Sequence, residues 1–248
     1  MQSIISVKQS VIYLSIIMCL VLGTKELTIM WIIFLVVTGN VRRISRKKPY
    51  LYWIRMTGYF IVETIPLFLR TGLKNIFSLY DGGIIWVILA FSIGGMIWIH
   101  DYNINKIYYT KSSIATLSEK KRYEIFVFLY GIIGAIIFEE VFFRGYMCCM
   151  YENNIIGVVT SSLMFVMSHY CLPWSNTFRK KDFFRQFCIG VINGLLLIYS
   201  GSIIPCIIVH LSCNLNVIIT ELLRYVRYYI SPEKYNEYIL NDDISIDF

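Results

Sequence analysis

The chain has 248 residues, of which 57% are hydrophobic and 16% are charged. Because an average soluble domain is about 45–50% apolar and about 25% charged, this composition excludes an ordinary soluble fold and a disordered chain. Two uncharged runs, 153–178 and 186–220, each exceed the roughly 20 residues that a membrane-spanning helix needs. The net charge of +7 is typical of cationic loops that orient a membrane protein, and no nucleic-acid partner is expected. We therefore predict an all-α, polytopic membrane helix bundle in contact with the lipid bilayer.

About eight transmembrane helices are predicted. In chain order they are Val11–Gly23, Leu27–Val41, Tyr50–Leu69, Gly82–Ile99, Glu124–Met150, Ile155–Leu172, Gln186–Tyr199 and Ile203–Leu223. The run 186–220 is too long for one span, and Ser200-Gly201-Ser202 is the natural turn within it. The first two helices are short and are separated by a charged pair. They can form a full hairpin or a less regular entry, and a cleaved signal peptide is the less favoured alternative because no A-x-A-like site follows.

The distribution of cationic residues predicts the orientation. With the N-terminus inside the cell, eighteen Lys and Arg residues fall on the inner side and only Lys25, Arg70 and Lys74 on the outer side. This bias predicts a multi-pass protein of the cell membrane with both termini in the cytoplasm. The abundance of Ile, Tyr, Lys and Asn suggests an AT-rich, bacterial genome.

Ionisable residues within the apolar helices are the first sign of function, since each costs about 2.5–3.5 kcal/mol on membrane-insertion scales. Glu139 and Glu140 are adjacent carboxylates on the fifth helix. Arg144 follows Glu140 by four residues and should share its face, whereas Glu139 points about 100° away. We therefore predict that Glu140 is paired with Arg144 and that Glu139 is available as a base. A buried ion pair that only locks two helices is the structural alternative.

Two more helices carry histidines. Phe165 and His169 lie four residues apart on the sixth helix, and His210 and Asn214 have the same spacing on the eighth. Alone, each histidine would be read as a satisfied core residue or an interhelical hydrogen bond. Together with the glutamates they supply a general base, a residue that positions water and neutral donors, the parts that peptide hydrolysis by an activated water needs. A transporter's proton relay can use similar residues.

Three short patterns resemble one known family. Glu139–Gly145 matches E-E-x-x-F-R-G, the segment from Phe165 to His169 matches F-x-x-x-H, and that from His210 to Asn214 matches H-x-x-x-N. These are motifs of the CAAX-protease and bacteriocin-processing (CPBP, or Abi) family of intramembrane glutamic-type or metalloproteases. The resemblance covers about 124–223. It divides the chain into four N-terminal helices and a cytoplasmic loop (1–123), a catalytic four-helix core (124–223) and a polar cytoplasmic tail (224–248).

The resemblance implies a role for each motif residue. Glu139 would activate the attacking water, His169 would hold that water, and His210 with Asn214 would stabilise the oxyanion. Supporting positions are Glu140, Arg144 and Phe165. A cavity within the membrane that opens toward the cytoplasm is expected. The implied function is an endopeptidase that cleaves a membrane-associated peptide or protein, in peptide maturation or bacteriocin self-immunity. A non-catalytic scaffold or immunity protein that binds a bacteriocin or a sensor partner is the alternative.

The sequence leaves two alternatives for the cofactor, zinc or none. Glu139, His169 and His210 form a His₂Glu set, which is a known catalytic zinc pattern. However, the chain has no H-E-x-x-H helix. A metal-free mechanism in which Glu139 acts directly on water is favoured, and zinc held by these three residues is the alternative.

Overall fold

The fold is a bundle of α-helices, seen in a computed structural model that describes residues 2–45, 47–69, 76–78, 83–171 and 180–233. No strand occurs within these residues. The helices are α1 Gln2–Leu22, α2 Lys25–Val41, α3 Pro49–Leu69, α4 Gly83–His100, α5 Tyr102–Tyr108, α6 Lys111–Ala115, α7 Arg122–Glu140, α8 Asn154–Cys171, α9 Lys180–Ser200 and α10 Ile204–Tyr225. A π-helix, Val141–Met147, and a 3₁₀ turn, Cys148–Met150, continue α7, and a second π-helix, Val226–Ile230, continues α10.

The predicted all-α membrane architecture is confirmed. Eight helices of the described part have 17 residues or more, in the order predicted. Five segments are long and apolar enough to cross a membrane: Gly83–His100, Arg122–Met150, Asn154–Cys171, Lys181–Ser200 and Ile204–Ile230. The apolar part of α1, Val7–Leu22, is shorter. The chain is therefore a multi-pass membrane protein, and the predicted number of about eight spans is roughly consistent with it.

The first two helices form a hairpin, one of the two arrangements that the sequence left open. Thr24 caps α2, because its side-chain oxygen accepts a hydrogen bond from the backbone N–H of Leu27 at 3.2 Å. Across the hairpin, the buried indole N–H of Trp31 donates to the hydroxyl of Ser15 at 2.9 Å. This bond satisfies a polar group that would otherwise be costly within an apolar layer.

Stacked aromatic rings hold the segment after α7 against α2. Phe34 stacks on Phe142 with ring centroids 4.8 Å apart, and Trp31 stacks on Phe34 at 5.2 Å. Phe143 meets Phe34 edge to face at 5.8 Å. Such pairs contribute about 0.5–1.5 kcal/mol each beyond the area they bury. The N-terminal helices therefore help to fix the helix that carries the two adjacent glutamates.

Two glycines are required where α9 meets its neighbours. Gly190 lets α9 approach α8, since a Cβ there would lie 2.9 Å from the Cβ of Ser162. Gly201 ends the helix with a φ of 64°, a backbone conformation that favours glycine. The turn predicted at Ser200-Gly201-Ser202 is thus present, and α10 begins directly after it.

The connection after α4 and the tail contain more helix than predicted. The segment from Tyr102 to Arg122, predicted as part of a loop, contains α5 and α6, and α10 with its π-helix continues past the predicted end at Leu223 to Ile230. The two segments contact each other, because the hydroxyl of Tyr228 donates to the carbonyl of Leu117 at 2.7 Å. The remainder of the predicted tail, 234–248, lies outside the described residues, as does the predicted helix end at Leu172.

Candidate active site

The two adjacent glutamates lie where α7 changes into a π-helix. Glu139 and Glu140 are the last residues of α7, and Val141–Met147 follow with the wider π turn. Single-turn π segments are rare and occur frequently at functional sites. Glu140 is completely buried, whereas Glu139 lies at the wall of a cavity. The two carboxylates therefore have different surroundings although they are neighbours in the chain.

Glu140 belongs to a buried network with Arg144 and His210. Its Oε1 lies 2.7 Å from Nδ1 of His210, and its Oε2 lies 3.3 Å from Nε of Arg144. The predicted pairing of Glu140 with Arg144 is therefore present. The guanidinium lies 4.4 Å from the ring centre of Phe165, a distance typical of a cation–π interaction. The carboxylate of Glu140 is therefore engaged by these two groups and is not available as a base.

Glu139 faces both histidines. Its Oε1 lies 3.8 Å from Nε2 of His169, and its Oε2 lies 3.9 Å from Nε2 of His210. Three different helices, α7, α8 and α10, supply these side chains. The arrangement brings one carboxylate and two imidazole edges around a common space. The spacing of the motifs in the sequence could not show this by itself.

The other ring nitrogen of each histidine is held by its own partner. Nδ1 of His169 lies 2.9 Å from the backbone carbonyl of Phe165, which can only accept, so this nitrogen carries a hydrogen. Nδ1 of His210 is similarly held by the carboxylate of Glu140. Such contacts fix the ring orientation and leave Nε2 as the edge that meets Glu139.

Phe165 and Asn214 complete the first layer around these groups. The Phe165 ring centre is 4.5 Å from that of His169 and 6.0 Å from that of His210. Phe165 therefore packs against both imidazoles, whereas the four-residue spacing by itself places it only beside His169. The amide of Asn214 donates to the backbone carbonyl of His210 at 3.2 Å and lines the same cavity as Glu139. Because an amide nitrogen has two hydrogens, one such bond leaves a second donor.

The cavity in front of Glu139, called here the main cavity, has a volume of about 510 Å³. It is lined by Tyr52, Met56, Gly131, Ile132, Ala135, Ile136, Glu139, Phe165, His169, Asp182, Arg185, Gln186, Ile189, His210, Cys213, Asn214 and Val217. One wall, from α3 and α7, is mostly apolar. The start of α9 supplies polar groups, and there Arg185 forms an ion pair with Asp101 at 2.5 Å. The volume falls within the range of about 300–1,000 Å³ typical of small-ligand sites.

The donor types of the His₂Glu set suit zinc, whereas their geometry does not form a metal site. Within the described residues, no group of three His, Cys, Asp or Glu side chains could hold a metal ion. Zinc ligands lie about 2.0–2.2 Å from the ion, which places neighbouring oxygen and nitrogen ligands of a tetrahedral site roughly 3.4 Å apart. The two Glu139–histidine distances are longer, at 3.8 and 3.9 Å. We therefore assign the hydrolytic steps to the side chains of the site without a metal.

Two further residues of the site were not predicted from the motifs. Asn193 on α9 is fully buried and interacts with Glu140, and its amide donates to the carbonyl of Cys206 at 3.3 Å. Glu63 on α3 is buried beside Glu139. By its sequence alone, Glu63 is equally suited to lining the cavity and to bonding a neighbouring helix. The signal for both was a polar residue within an apolar helix.

The fold and the site define a polytopic membrane protein with a carboxylate–histidine centre at an internal cavity. Residues 121–216 match the family model described as "Type II CAAX prenyl endopeptidase Rce1-like". This match confirms the resemblance to the CAAX-protease family that the motifs indicated over this part of the chain. The matched segment contains every motif residue of the site. Comparisons with curated proteins and with solved structures each give no significant match.

Proposed function

We propose that this protein is an intramembrane endopeptidase that hydrolyses a peptide bond with a water molecule activated by Glu139. The observation that carries the proposal is the position of the Glu139 carboxylate, which faces Nε2 of His169 and Nε2 of His210 at the wall of the main cavity. The Rce1-like match over residues 121–216 supports a CAAX-protease type of activity.

The attacking water is assigned to the space between Glu139 and His169. A separation of 3.8 Å is too long for a direct hydrogen bond but allows both groups to contact one water. The water donates one proton toward the carboxylate and is held by the imidazole edge. As Glu139 takes this proton, the hydroxyl oxygen attacks the substrate's carbonyl carbon, and the π electrons move onto the carbonyl oxygen.

His210 and Asn214 are assigned to the oxyanion. When both ring nitrogens of His210 carry a proton, Nδ1 donates to Glu140 and Nε2 donates into the cavity. Asn214 contributes its second amide hydrogen from the next turn of α10. The tetrahedral intermediate collapses as the C–N bond breaks, and Glu139 returns its proton to the leaving amine. Preorganised donors of this kind are worth about 10²–10³ in kcat each.

The proposed substrate is a membrane-associated peptide or the end of a membrane-bound protein. The main cavity combines an apolar wall with a polar end at Asp182, Arg185 and Gln186, so it suits a chain with both apolar and polar parts. A prenylated CAAX peptide is one such substrate and corresponds to the name of the matching family. Peptide maturation or bacteriocin self-immunity in a bacterial cell membrane is the proposed setting, with both termini in the cytoplasm.

The test compares the peptide termini in cells that carry wild type, Glu139→Gln or Glu221→Gln at equal membrane levels. Glu221 is a matched control, because it is a buried carboxylate of α10 that contacts Lys120 at 2.9 Å and does not line the main cavity. We expect a cleavage product with wild type and Glu221→Gln that is absent with Glu139→Gln. Identical termini in all three, together with a phenotype that survives Glu139→Gln, would favour the non-catalytic immunity or scaffold function instead.

A further inference from the structure

A second, much smaller cavity shares Glu139 and His169 with the main cavity. It is lined by Phe34, Thr38, Tyr59, Glu63, Glu139, Phe143, Ser168 and His169. We call it the rear cavity. Its volume is about 20 Å³, which is enough for a single water molecule. Polar side chains from α2, α3, α7 and α8 meet there, so the cavity has the polar lining that a buried water needs.

Glu63 is the residue of this cavity that the proposed mechanism does not use. It is 4% exposed, and its Oε2 forms no hydrogen bond with the described residues. It also lies close enough to Glu139 for the two carboxylates to repel each other when both are charged, and a water between them reduces this repulsion. A buried carboxyl oxygen without a partner is costly, because it has lost its hydration and gained nothing in return. A membrane protein that keeps such a group beside its proposed base has a use for it.

We propose that Glu63 is a positioning residue that holds Glu139 through one water molecule in the rear cavity. The water contacts Oε2 of Glu63 on one side and the carboxylate of Glu139 on the other. The hydroxyls of Ser168 and Thr38 already donate to their own helices, to the carbonyls of Phe165 at 2.7 Å and Phe34 at 2.5 Å. Their hydrogens are therefore engaged, and the two hydrogens of the water are left for Glu63 and Glu139.

This contact supplies a restraint that the described residues do not otherwise give to Glu139. Both histidine contacts of Glu139 are 3.8 Å or longer, so neither is a direct hydrogen bond that would fix the carboxylate. Glu140, by contrast, is held directly by His210 at 2.7 Å. A water bridge from the rear cavity would keep the Glu139 oxygens turned toward the main cavity, where the proposed attacking water lies. The inference rests on the proposed function of Glu139 and assigns the group that orients it.

The test uses full-length protein in lipid vesicles and a prenylated, internally quenched peptide that ends in a CAAX tetrapeptide. Glu63→Leu removes the polar group at similar volume, and we expect kcat to fall roughly 10- to 100-fold with little change in KM, as for other outer-layer partners of an active site. Glu63→Gln can still bind the water, and its kcat should remain close to that of wild type. Glu221→Leu removes a buried carboxyl outside both cavities and serves as the control.

Thermal unfolding separates positioning from a purely structural role. Because Oε2 of Glu63 is bonded to no described residue, Glu63→Leu removes only the proposed water contact and should unfold at the same temperature as wild type or higher. Glu221→Leu breaks a paired carboxylate and should unfold at a lower temperature. If Glu63→Leu lowers both kcat and the unfolding temperature, or if Glu63→Gln is as slow as Glu63→Leu, the positioning role is wrong.

If the protein in vesicles cleaves no peptide, crystal structures of wild type and Glu63→Leu test the position of Glu139 directly. In that case the proposed function fails with this substrate, whereas the inference predicts density for a water between Glu63 and Glu139. It also predicts that the Glu139 carboxylate moves away from its 3.8 Å position beside His169 in the variant. An empty rear cavity in wild type, or an unmoved carboxylate in Glu63→Leu, would overturn the inference.

Discussion

Replacing Arg144 with Met should destabilise the protein strongly, because it removes one partner of a buried ion pair. The guanidinium and the Glu140 carboxylate are both fully buried, with Nε and Oε2 3.3 Å apart. Removing one member of such a pair costs about 3–5 kcal/mol, since the other charge stays buried without compensation. For a chain of about this size, 1 kcal/mol corresponds to about 2–4 °C, so we expect the unfolding temperature to fall by roughly 6–20 °C.

A double-mutant cycle isolates the pair from the other contacts of Arg144. Glu140→Gln keeps an acceptor for His210 but removes the charge that faces Arg144. In the double variant, Arg144→Met with Glu140→Gln, neither charge is left alone, so the loss should be smaller than the sum of the two single losses. Unfolding can be followed by a thiol-reactive dye, because Cys19 and Cys206 are fully buried in the folded protein. If the two single losses add without interaction, the reasoning about the pair is refuted.

Three further predictions concern the site and its packing. Asn214→Ala should lower kcat by about 10²–10³ at unchanged KM, and a rise in KM alone would contradict its assignment to the oxyanion. Gly190→Ala should destabilise by about 1–3 kcal/mol, measured by thermal unfolding, because the new Cβ would lie 2.9 Å from Ser162 and 3.1 Å from the Arg144 guanidinium. A chelator should leave peptide cleavage in vesicles unchanged, and loss of activity that zinc restores would refute the metal-free mechanism.

Helical periodicity explains why the pairing in the site could be predicted from the sequence. Residues four apart share a helix face, and this alone places Arg144 beside Glu140 and Phe165 beside His169. Both contacts are present, with Nε–Oε2 and ring-centre distances of 3.3 and 4.5 Å. The π-helix begins only at Val141, so Glu139 still precedes the irregular turn.

Contacts between helices could not be predicted in the same way. By its sequence alone, Arg55 on α3 could extend toward the inner membrane surface. In the structure it is 4% exposed, and its guanidinium donates to the carbonyls of Arg42 at 2.9 Å and Ile44 at 3.2 Å, at the end of α2. A cation near the C-terminal end of a helix satisfies carbonyls that lack partners there. Which helix end lies nearby depends on the assembled bundle, and periodicity carries no such information.

Whether α2 and α3 span the membrane is also difficult to predict from the sequence. Both were predicted as spans, yet neither is among the five segments that are long and apolar enough by themselves. Their polar residues are used inside the bundle, since Thr38 of α2 and Glu63 of α3 both line the rear cavity. α2 has only 17 residues, and α3 carries Arg55 and Glu63 within its length. Length and hydropathy are therefore least informative where a membrane helix is short or contributes ionisable groups to the interior.

The position of His210 between the two carboxylates explains how neighbouring glutamates can have separate roles. One edge of the ring is held by Glu140 at 2.7 Å, and the opposite edge faces Glu139 at 3.9 Å. Because the imidazole is rigid and planar, the contact with Glu140 also determines the direction of Nε2. Arg144 holds Glu140 in turn, so its effect reaches Glu139 through two intervening side chains. The buried ion pair, considered at first as a purely structural alternative, is therefore part of what would orient the catalytic group.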